Sequence, residues 1–177
     1  MSAVPDLQRF WTMPADEAEA YFREHVERNP ARAAAFADAV AGAGGPALDY
    51  GEESLVPLWA WVVEQIVPRR SLLRRRGNEP ALDDEQIVEG LGAYLAEVAL
   101  RNVPDSGWTL WRAVEDDVDY NQPLVSLYGN DERTQNFLRN ALNMVSLARQ
   151  REGEREPRAL LDVYRRWTKP PPRPLGA

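Results

Sequence analysis

His25 limits the chemistry that this chain can perform. It is the only histidine, and the chain has no cysteine. A metal centre with two histidine ligands and a thiolate nucleophile are therefore excluded, and a serine–histidine triad would have to use this one imidazole. The sequence also contains no GxSxG elbow, no GxxxxGK[ST] phosphate loop and no GxGxxG turn. These features favour a protein with no catalytic residue, no metal ligand and no cofactor.

The acidic segment EDDVDYNQ begins like a calcium-binding loop. Asp117, Asp119 and Asn121 place oxygen atoms at alternate positions, as an EF-hand loop does. The sixth position is then Gln122 instead of glycine, and the twelfth is Tyr128 instead of glutamate. We therefore expect a solvated loop between strands.

Carboxylates could also support hydrolysis if two of them shared a cleft. Glu85, Glu89 and Glu97 are candidates, although Glu97 precedes Arg101 by one helical turn and is expected to form an exposed ion pair with it. A carboxylate or metal-dependent hydrolase stays as an alternative function.

Residues 69–76 form a basic segment that could bind an anion. Arginine side chains recognise phosphate and carboxylate groups with two parallel hydrogen bonds. The chain as a whole has a formal net charge of −7, which favours neutralisation of its own acidic surface over nucleic-acid binding. An anionic ligand or nucleic acid at this segment is the second alternative, with the candidate residues Arg69, Arg70, Arg74, Arg75 and Arg76.

Amide and aromatic side chains are the candidates for recognition of a partner. Asn136, Asn140 and Asn143 recur at the spacing of one helical face, where helix stability alone would favour other residues. Tyr94, Trp108 and Trp111 are the aromatic candidates, because exposed aromatic residues are enriched at binding hot spots. For the pairs Trp59/Trp61 and Trp108/Trp111, spacing predicts different directions, so one member of each is expected to be partly exposed unless other helices cover it.

The elements that must position these side chains are mostly helices. Residues 1–46 are expected to form a helical hairpin, with the Asn-Pro pair at 29–30 separating two helices. Residues 47–168 are expected to form a core continuous with it. This core contains an apolar helix near residues 55–66, a helix from Asp83 or Asp84 to about Asn102, strands in WTLWRAV and PLVSLYG, a helix over about 131–151 and a last helix in PRALLDVYRRW. Residues 169–177 are a proline-rich tail.

This order of elements predicts an α+β fold, a mostly helical single domain with a small antiparallel sheet packed against helices. The chain has 177 residues, of which 44% are hydrophobic and 28% charged, as in ordinary globular domains. No signal peptide and no apolar run of membrane-spanning length is recognisable. A cytoplasmic protein without a membrane partner is therefore expected.

Residues 48–129 carry motifs that resemble uncharacterised domain-of-unknown-function families of actinobacteria. The matching pieces are LDYGEESLVPLW, GAYLAEV, RNVPDSGW and NQPLVSLYG. The chain departs from that pattern at Ala96, where glycine is frequent, and in its long acidic insert. The resemblance implies a small α+β domain and no known activity.

A non-catalytic protein-interaction module in a bacterial cytoplasm is the function that these observations favour. Its partner would be another protein or a second copy of the chain, and nucleic acid is not expected.

Overall fold

The computed structural model describes residues 10–67, 81–114 and 117–171. In this part of the chain, five α-helices accompany one three-stranded antiparallel sheet. The predicted fold class, a mostly helical α+β domain with a small sheet, is confirmed. The helices are α1 (Ala15–Gly42), α2 (Leu55–Ile66), α3 (Asp84–Asn102), α4 (Phe137–Gln150) and α5 (Ala159–Trp167), and the strands are β1 (Gly107–Leu110), β2 (Pro123–Leu127) and β3 (Asn130–Gln135).

Helix α3 is the centre of the core. It begins with a capping box, in which the Asp83 carboxylate accepts from the Gln86 amide and the Gln86 side chain accepts from the Asp83 amide. Its residues are buried almost continuously from Ile87 to Ala99, because α1 and α4 pack on different sides of it. At Gly92 the α4 backbone comes close, since a Cβ atom there would lie 2.9 Å from the Leu138 Cα atom. Glycine at this position therefore permits the contact between α3 and α4.

Helix α1 corrects the predicted helical hairpin. It runs without interruption through Pro30, although a proline inside a helix lacks one hydrogen bond and costs about 3 kcal/mol relative to alanine. Tertiary packing offsets this cost. The helix places Ala33, Phe36 and Val40 in the interior, and the side chain of Asn29 is only 1% exposed.

Helix α2 carries two buried tryptophans. Trp59 is fully buried and Trp61 is 7% exposed, so the expectation that one of them is partly exposed is wrong. The Trp59 indole donates to the Glu154 carbonyl oxygen at 2.8 Å, and Trp61 lies against the loop at Gly45. Segments before and after α2 therefore cover both of its faces.

The sheet has the order β1-β2-β3, with β2 in the middle. The β1 and β2 strands occupy the two predicted segments, and Trp108 pairs with Val125. The helix expected from about residue 131 is wrong at its start. Residues 130–135 form β3, joined to β2 by a two-residue turn in which Tyr128 and Gly129 both have positive φ values, the geometry that favours a tight hairpin.

None of the helices in the described part of the chain combines the length and the apolar character needed to cross a membrane. The last described residues, 169–171, are exposed. The rest of the proline-rich tail lies outside the described residues.

Candidate functional site

A cleft of about 150 Å³ lies where α1, α3, the sheet and the start of α4 meet. Four side chains come from one stripe of α1, at spacings of four, four and three residues: Tyr21, His25, Asn29 and Arg32. Helix α3 contributes one charged and three small residues: Glu89, Gly92, Ala93 and Ala96. The remaining lining residues are Phe10, Trp108, Gln122, Pro123, Asn136, Phe137 and Leu138.

Aromatic rings form one wall of the cleft. The His25 ring meets the edge of Trp108, with centroids 5.1 Å apart and an interplanar angle of 78°. The centroid of Tyr21 lies 5.9 Å from that of His25, and the Phe10 ring packs edge-on against Tyr21 at 5.1 Å. Rings held edge to face in this way support one another, so the wall is already assembled in the ligand-free chain.

His25 presents a neutral ring to the cleft. Burial, together with the positive charge of Arg32, lowers the pKa of His25 to about 4. Arg32 also donates from Nη1 to the Nδ1 atom of His25 at 3.4 Å, which leaves the imidazole proton on Nε2. The α1 stripe turns this half-buried histidine toward α3 and the sheet.

Asn29 is the buried residue of the α1 stripe. Its Nδ2 atom donates to the Ala93 carbonyl oxygen at 3.3 Å and to the Glu97 Oε1 atom at 2.9 Å. Glu97 also accepts from Arg101 at 3.4 Å, as predicted, but its side chain is 8% exposed and does not lie on an open surface. The carboxylate of Glu97 thus holds the Asn29 amide in one orientation.

Asn136 belongs to the wall opposite α1. It is the N-cap of α4, where its Oδ1 atom accepts from the Arg139 amide at 3.0 Å. Its Nδ2 atom donates to Gln122 Oε1 at 2.9 Å and to Asp119 Oδ1 at 2.5 Å. Burial raises the pKa of Asp119, while the hydrogen bond from Asn136 and the charge of Arg139 oppose that rise.

The predicted asparagine face does not exist. Asn136 is buried before the helix begins, Asn140 donates to Gln135 Oε1 at 3.1 Å, and Asn143 is exposed. The helical spacing that linked the three residues applies only from Phe137 onward, because β3 replaces the first turns of the expected helix.

The three aromatic candidates lie in different places. Trp108 lines the cleft, whereas Tyr94 is fully buried in the core, where it cannot contact a partner. The Tyr94 hydroxyl accepts from the Tyr50 amide at 2.9 Å and shares a hydrogen bond with Ser54 at 2.8 Å. Trp111 is half-buried, and its indole nitrogen is buried without a hydrogen-bond partner among the described groups.

Asn121, in the described part of the acidic insert, packs on the N-terminal segment. Asn121 is buried, and its amide donates to the carbonyl oxygens of Phe10 and Met13. Its Oδ1 atom accepts from Arg112 at 3.0 Å. Within residues 10–67, 81–114 and 117–171, no group of three or more histidine or acidic side chains is arranged to hold a metal.

Three large apolar side chains are about half exposed among the described residues: Trp11, Val114 and Val118, at 48%, 52% and 49%. Two of them, Trp11 and Val118, are linked to residues that line the cleft. Trp11 follows the lining residue Phe10, and the Val118 carbonyl oxygen accepts from the side chain of the lining residue Gln122 at 2.8 Å. The Trp11 indole donates to the Asp117 carbonyl oxygen at 3.0 Å, so this apolar rim is held together by a hydrogen bond.

A second groove of about 270 Å³ lies along the α1 and α3 seam. It shares Arg32 and Glu89 with the cleft, and its other lining residues include the small side chains Ala35 and Ala39.

Sequence reasoning identified Trp108 and Asn136 but missed most of this site. The stripe of Tyr21, His25, Asn29 and Arg32 was a usable signal, but the expected break at Pro30 concealed it. The arginine candidates Arg69, Arg70, Arg74, Arg75 and Arg76 lie outside the described residues.

Comparison with protein-family models, curated proteins and solved structures finds no match to this chain, so the resemblance to actinobacterial domains of unknown function stays a prediction.

Proposed function

We propose that the protein is a non-catalytic protein-interaction module whose cleft receives one side chain of a partner protein. The observation that carries this proposal is the cleft itself, which has an aromatic wall and a volume of about 150 Å³. Pockets for drug-sized ligands and cofactors usually measure roughly 300–1,000 Å³. A cavity of about 150 Å³ is known to take a benzene-sized group, which is the size of one large side chain.

The surroundings of the cleft support a protein ligand over an isolated small molecule. Trp11 follows the lining residue Phe10, Val118 is hydrogen-bonded to the lining residue Gln122, and both side chains are about half exposed. Apolar residues beside a pocket are typical of interfaces in which one anchor side chain is inserted. The groove of about 270 Å³ that shares Arg32 and Glu89 offers a path for residues next to the anchor. Both surfaces would be superfluous for a ligand that fits the cleft alone.

The partner is either a different protein or a second copy of the chain. A cysteine-free sequence is consistent with a reducing compartment such as a bacterial cytoplasm. The two alternative functions, an anion site at residues 69–76 and a carboxylate or metal-dependent hydrolase, stay predictions.

The test fills the cleft and leaves the rest of the surface unchanged. Ala93 lines the cleft and is 7% exposed, so Ala93→Leu extends a branched side chain into it. Ala34→Leu is the matched control, since Ala34 is an exposed residue of α1 that does not line the cleft. The full chain and both variants are immobilised, exposed to a lysate of the source organism and compared by quantitative mass spectrometry, with self-association measured by light scattering.

We expect a protein, or the chain itself, to bind the unmodified chain and Ala34→Leu equally. Binding to Ala93→Leu should fall by about 30-fold or more, because loss of a hot-spot contact costs at least about 2 kcal/mol. Thermal unfolding of Ala93→Leu within a few degrees of the unmodified chain shows that the fold is intact. Equal capture by all three proteins, or a monomer that captures nothing, contradicts the proposal.

A further inference from the structure

One hydrogen-bond acceptor in the cleft is left without a donor. Asn29 lines the cleft and is 1% exposed. Both hydrogens of its amide are used, toward Ala93 and Glu97, and a carboxylate can only accept, so the nitrogen must face Glu97. Among the described groups, none donates to the Oδ1 atom of Asn29. Among the described residues, the fully buried side-chain atoms without a partner are the Trp111 indole nitrogen and the Tyr164 hydroxyl. The Asn29 oxygen is therefore open to the cleft, where a ligand can bring a donor to it.

The other amide side chains of the cleft, Asn136 and Gln122, do not compete for this role. Asn136 uses both of its amide hydrogens and accepts the Arg139 amide at Oδ1. The Oε1 atom of Gln122 is occupied by Asn136. The charged lining residues, Arg32 and Glu89, are exposed, and the Arg32 guanidinium already donates to the Nδ1 atom of His25. The interior therefore favours a neutral ligand group over a charged one, because a desolvated charge needs an opposite charge beside it.

The walls favour a flat apolar body for that group. The rings of Tyr21, His25 and Trp108 line one side, and Ala93 and Ala96 present only methyl groups on the other. Aromatic rings pack on one another in offset or edge-to-face arrangements. The volume of about 150 Å³ admits one six-membered ring.

We infer that the cleft recognises a phenol, the side chain of a tyrosine, whose hydroxyl donates to the Oδ1 atom of Asn29. The inference rests on the proposed function, since it names the anchor residue of the partner. It combines the donorless acceptor with the ring-lined, benzene-sized cavity. An aliphatic or phenylalanine anchor would leave the acceptor unpaired, and an ionised carboxylate has no hydrogen to donate to it.

Three small probes distinguish the contribution of the ring to affinity from that of the hydroxyl: phenol, toluene and acetamide. Phenol and toluene have the same shape and differ only by a hydroxyl in place of a methyl group, while acetamide has a donor without a ring. Each is titrated into the ¹⁵N-labelled full chain, and the indole N–H signal of Trp108 is followed by NMR. That signal is identified among the six tryptophans by its absence from Trp108→Phe.

We expect phenol to bind at least about threefold more tightly than toluene, since one buried hydrogen bond is worth roughly a 2- to 12-fold change in affinity. If the cleft offered no acceptor, toluene would bind more tightly than phenol, because toluene is the more apolar molecule. Phenol should also bind more tightly than acetamide. Toluene binding as tightly as phenol, acetamide binding best, or no probe moving the Trp108 signal each overturns the inference.

A variant of the acceptor gives a second readout. Asn29→Leu keeps a side chain of similar size but removes the amide, and the preference for phenol over toluene should disappear. Because Glu97 loses its donor in this variant, its fold is checked by the dispersion of the amide signals. The comparison of probes on the unmodified chain stands without it.

The failure of this inference differs from the failure of the proposed function. If Ala93→Leu abolishes partner capture while toluene equals phenol, the cleft binds a protein through another side chain and only the tyrosine assignment is wrong. If phenol is preferred but Ala93→Leu captures as well as the unmodified chain, the cleft takes a free phenolic molecule and the protein-interaction proposal is wrong.

Discussion

Removal of the Tyr94 hydroxyl should destabilise the fold without touching the cleft. This oxygen is fully buried, accepts from the Tyr50 amide at 2.9 Å and shares a hydrogen bond with Ser54 at 2.8 Å. Tyr50 has a φ of 63°, a left-handed conformation that is uncommon for a residue other than glycine. In Tyr94→Phe the Tyr50 amide loses its partner, whereas Ser54 keeps its hydrogen bond to the Gly51 carbonyl oxygen.

The expected loss is about 1–3 kcal/mol in the free energy of unfolding. This range is the cost of leaving one buried donor without a partner. Tyr164→Phe is the matched control, because Tyr164 is equally buried but its hydroxyl has no hydrogen-bond partner among the described groups. The Thr168 hydroxyl donates to the Tyr164 backbone carbonyl instead of the ring hydroxyl. Tyr164→Phe should therefore change stability by less than about 0.5 kcal/mol or increase it.

Urea unfolding followed by tryptophan fluorescence measures both variants. Equal slopes against urea would show that the two substitutions act on stability and not on the compactness of either state. The reasoning is refuted if Tyr94→Phe costs less than about 0.5 kcal/mol, or if Tyr164→Phe costs as much as Tyr94→Phe. Affinity for phenol should be the same in both variants, since neither residue lines the cleft.

Three further predictions test the α1 helix, the α3 contact and the buried histidine. Pro30→Ala should stabilise the fold by about 1–3 kcal/mol in thermal or urea unfolding, because α1 continues through this position. If the substitution does not increase stability, a helix break at Pro30 is favoured instead. Gly92→Ala should destabilise the fold by about 1–3 kcal/mol, because its Cβ atom would lie 2.9 Å from the Leu138 backbone. Gly153→Ala is the control and should be neutral, since a Cβ atom there would have nothing within 4 Å. Equal effects of the two substitutions on stability would contradict the close approach. The pKa of His25 falls from 6.5 to about 4 on folding. Between these values the unfolded chain binds one more proton than the folded chain, so the free energy of unfolding decreases by at most about 3 kcal/mol as the pH falls from about 6.5 to 4. His25→Gln should lose this part of the pH dependence, and an unchanged slope of stability between pH 7 and 4.5 would show the assignment to be wrong.

Elements whose signals are local could be predicted from the sequence. The capping box at Asp83 and the apolar spacing along α2 and α3 depend on residues within a few positions of one another. The mostly helical α+β class follows from the order of those elements.

Other features depended on partners far away in the chain. Pro30 is a local break signal, but packing of α1 against α3 keeps the helix continuous. Residues 130–135 are polar and carry no strong strand pattern, and they form β3 because β2 supplies a ladder beside them. Tertiary context overrode local preference at both places.

The sequence by itself determined which side chains were present for a site: one histidine, no cysteine, six tryptophans and several asparagine and glutamine side chains. Only the tertiary structure decided that His25 meets Trp108, that Asn136 is used as a helix cap, and that Tyr94 belongs to the core. The physical reason is that burial and hydrogen bonding arise between elements distant in sequence. Helical or strand spacing relates a side chain to its neighbours along the chain, but it does not say which element will cover it.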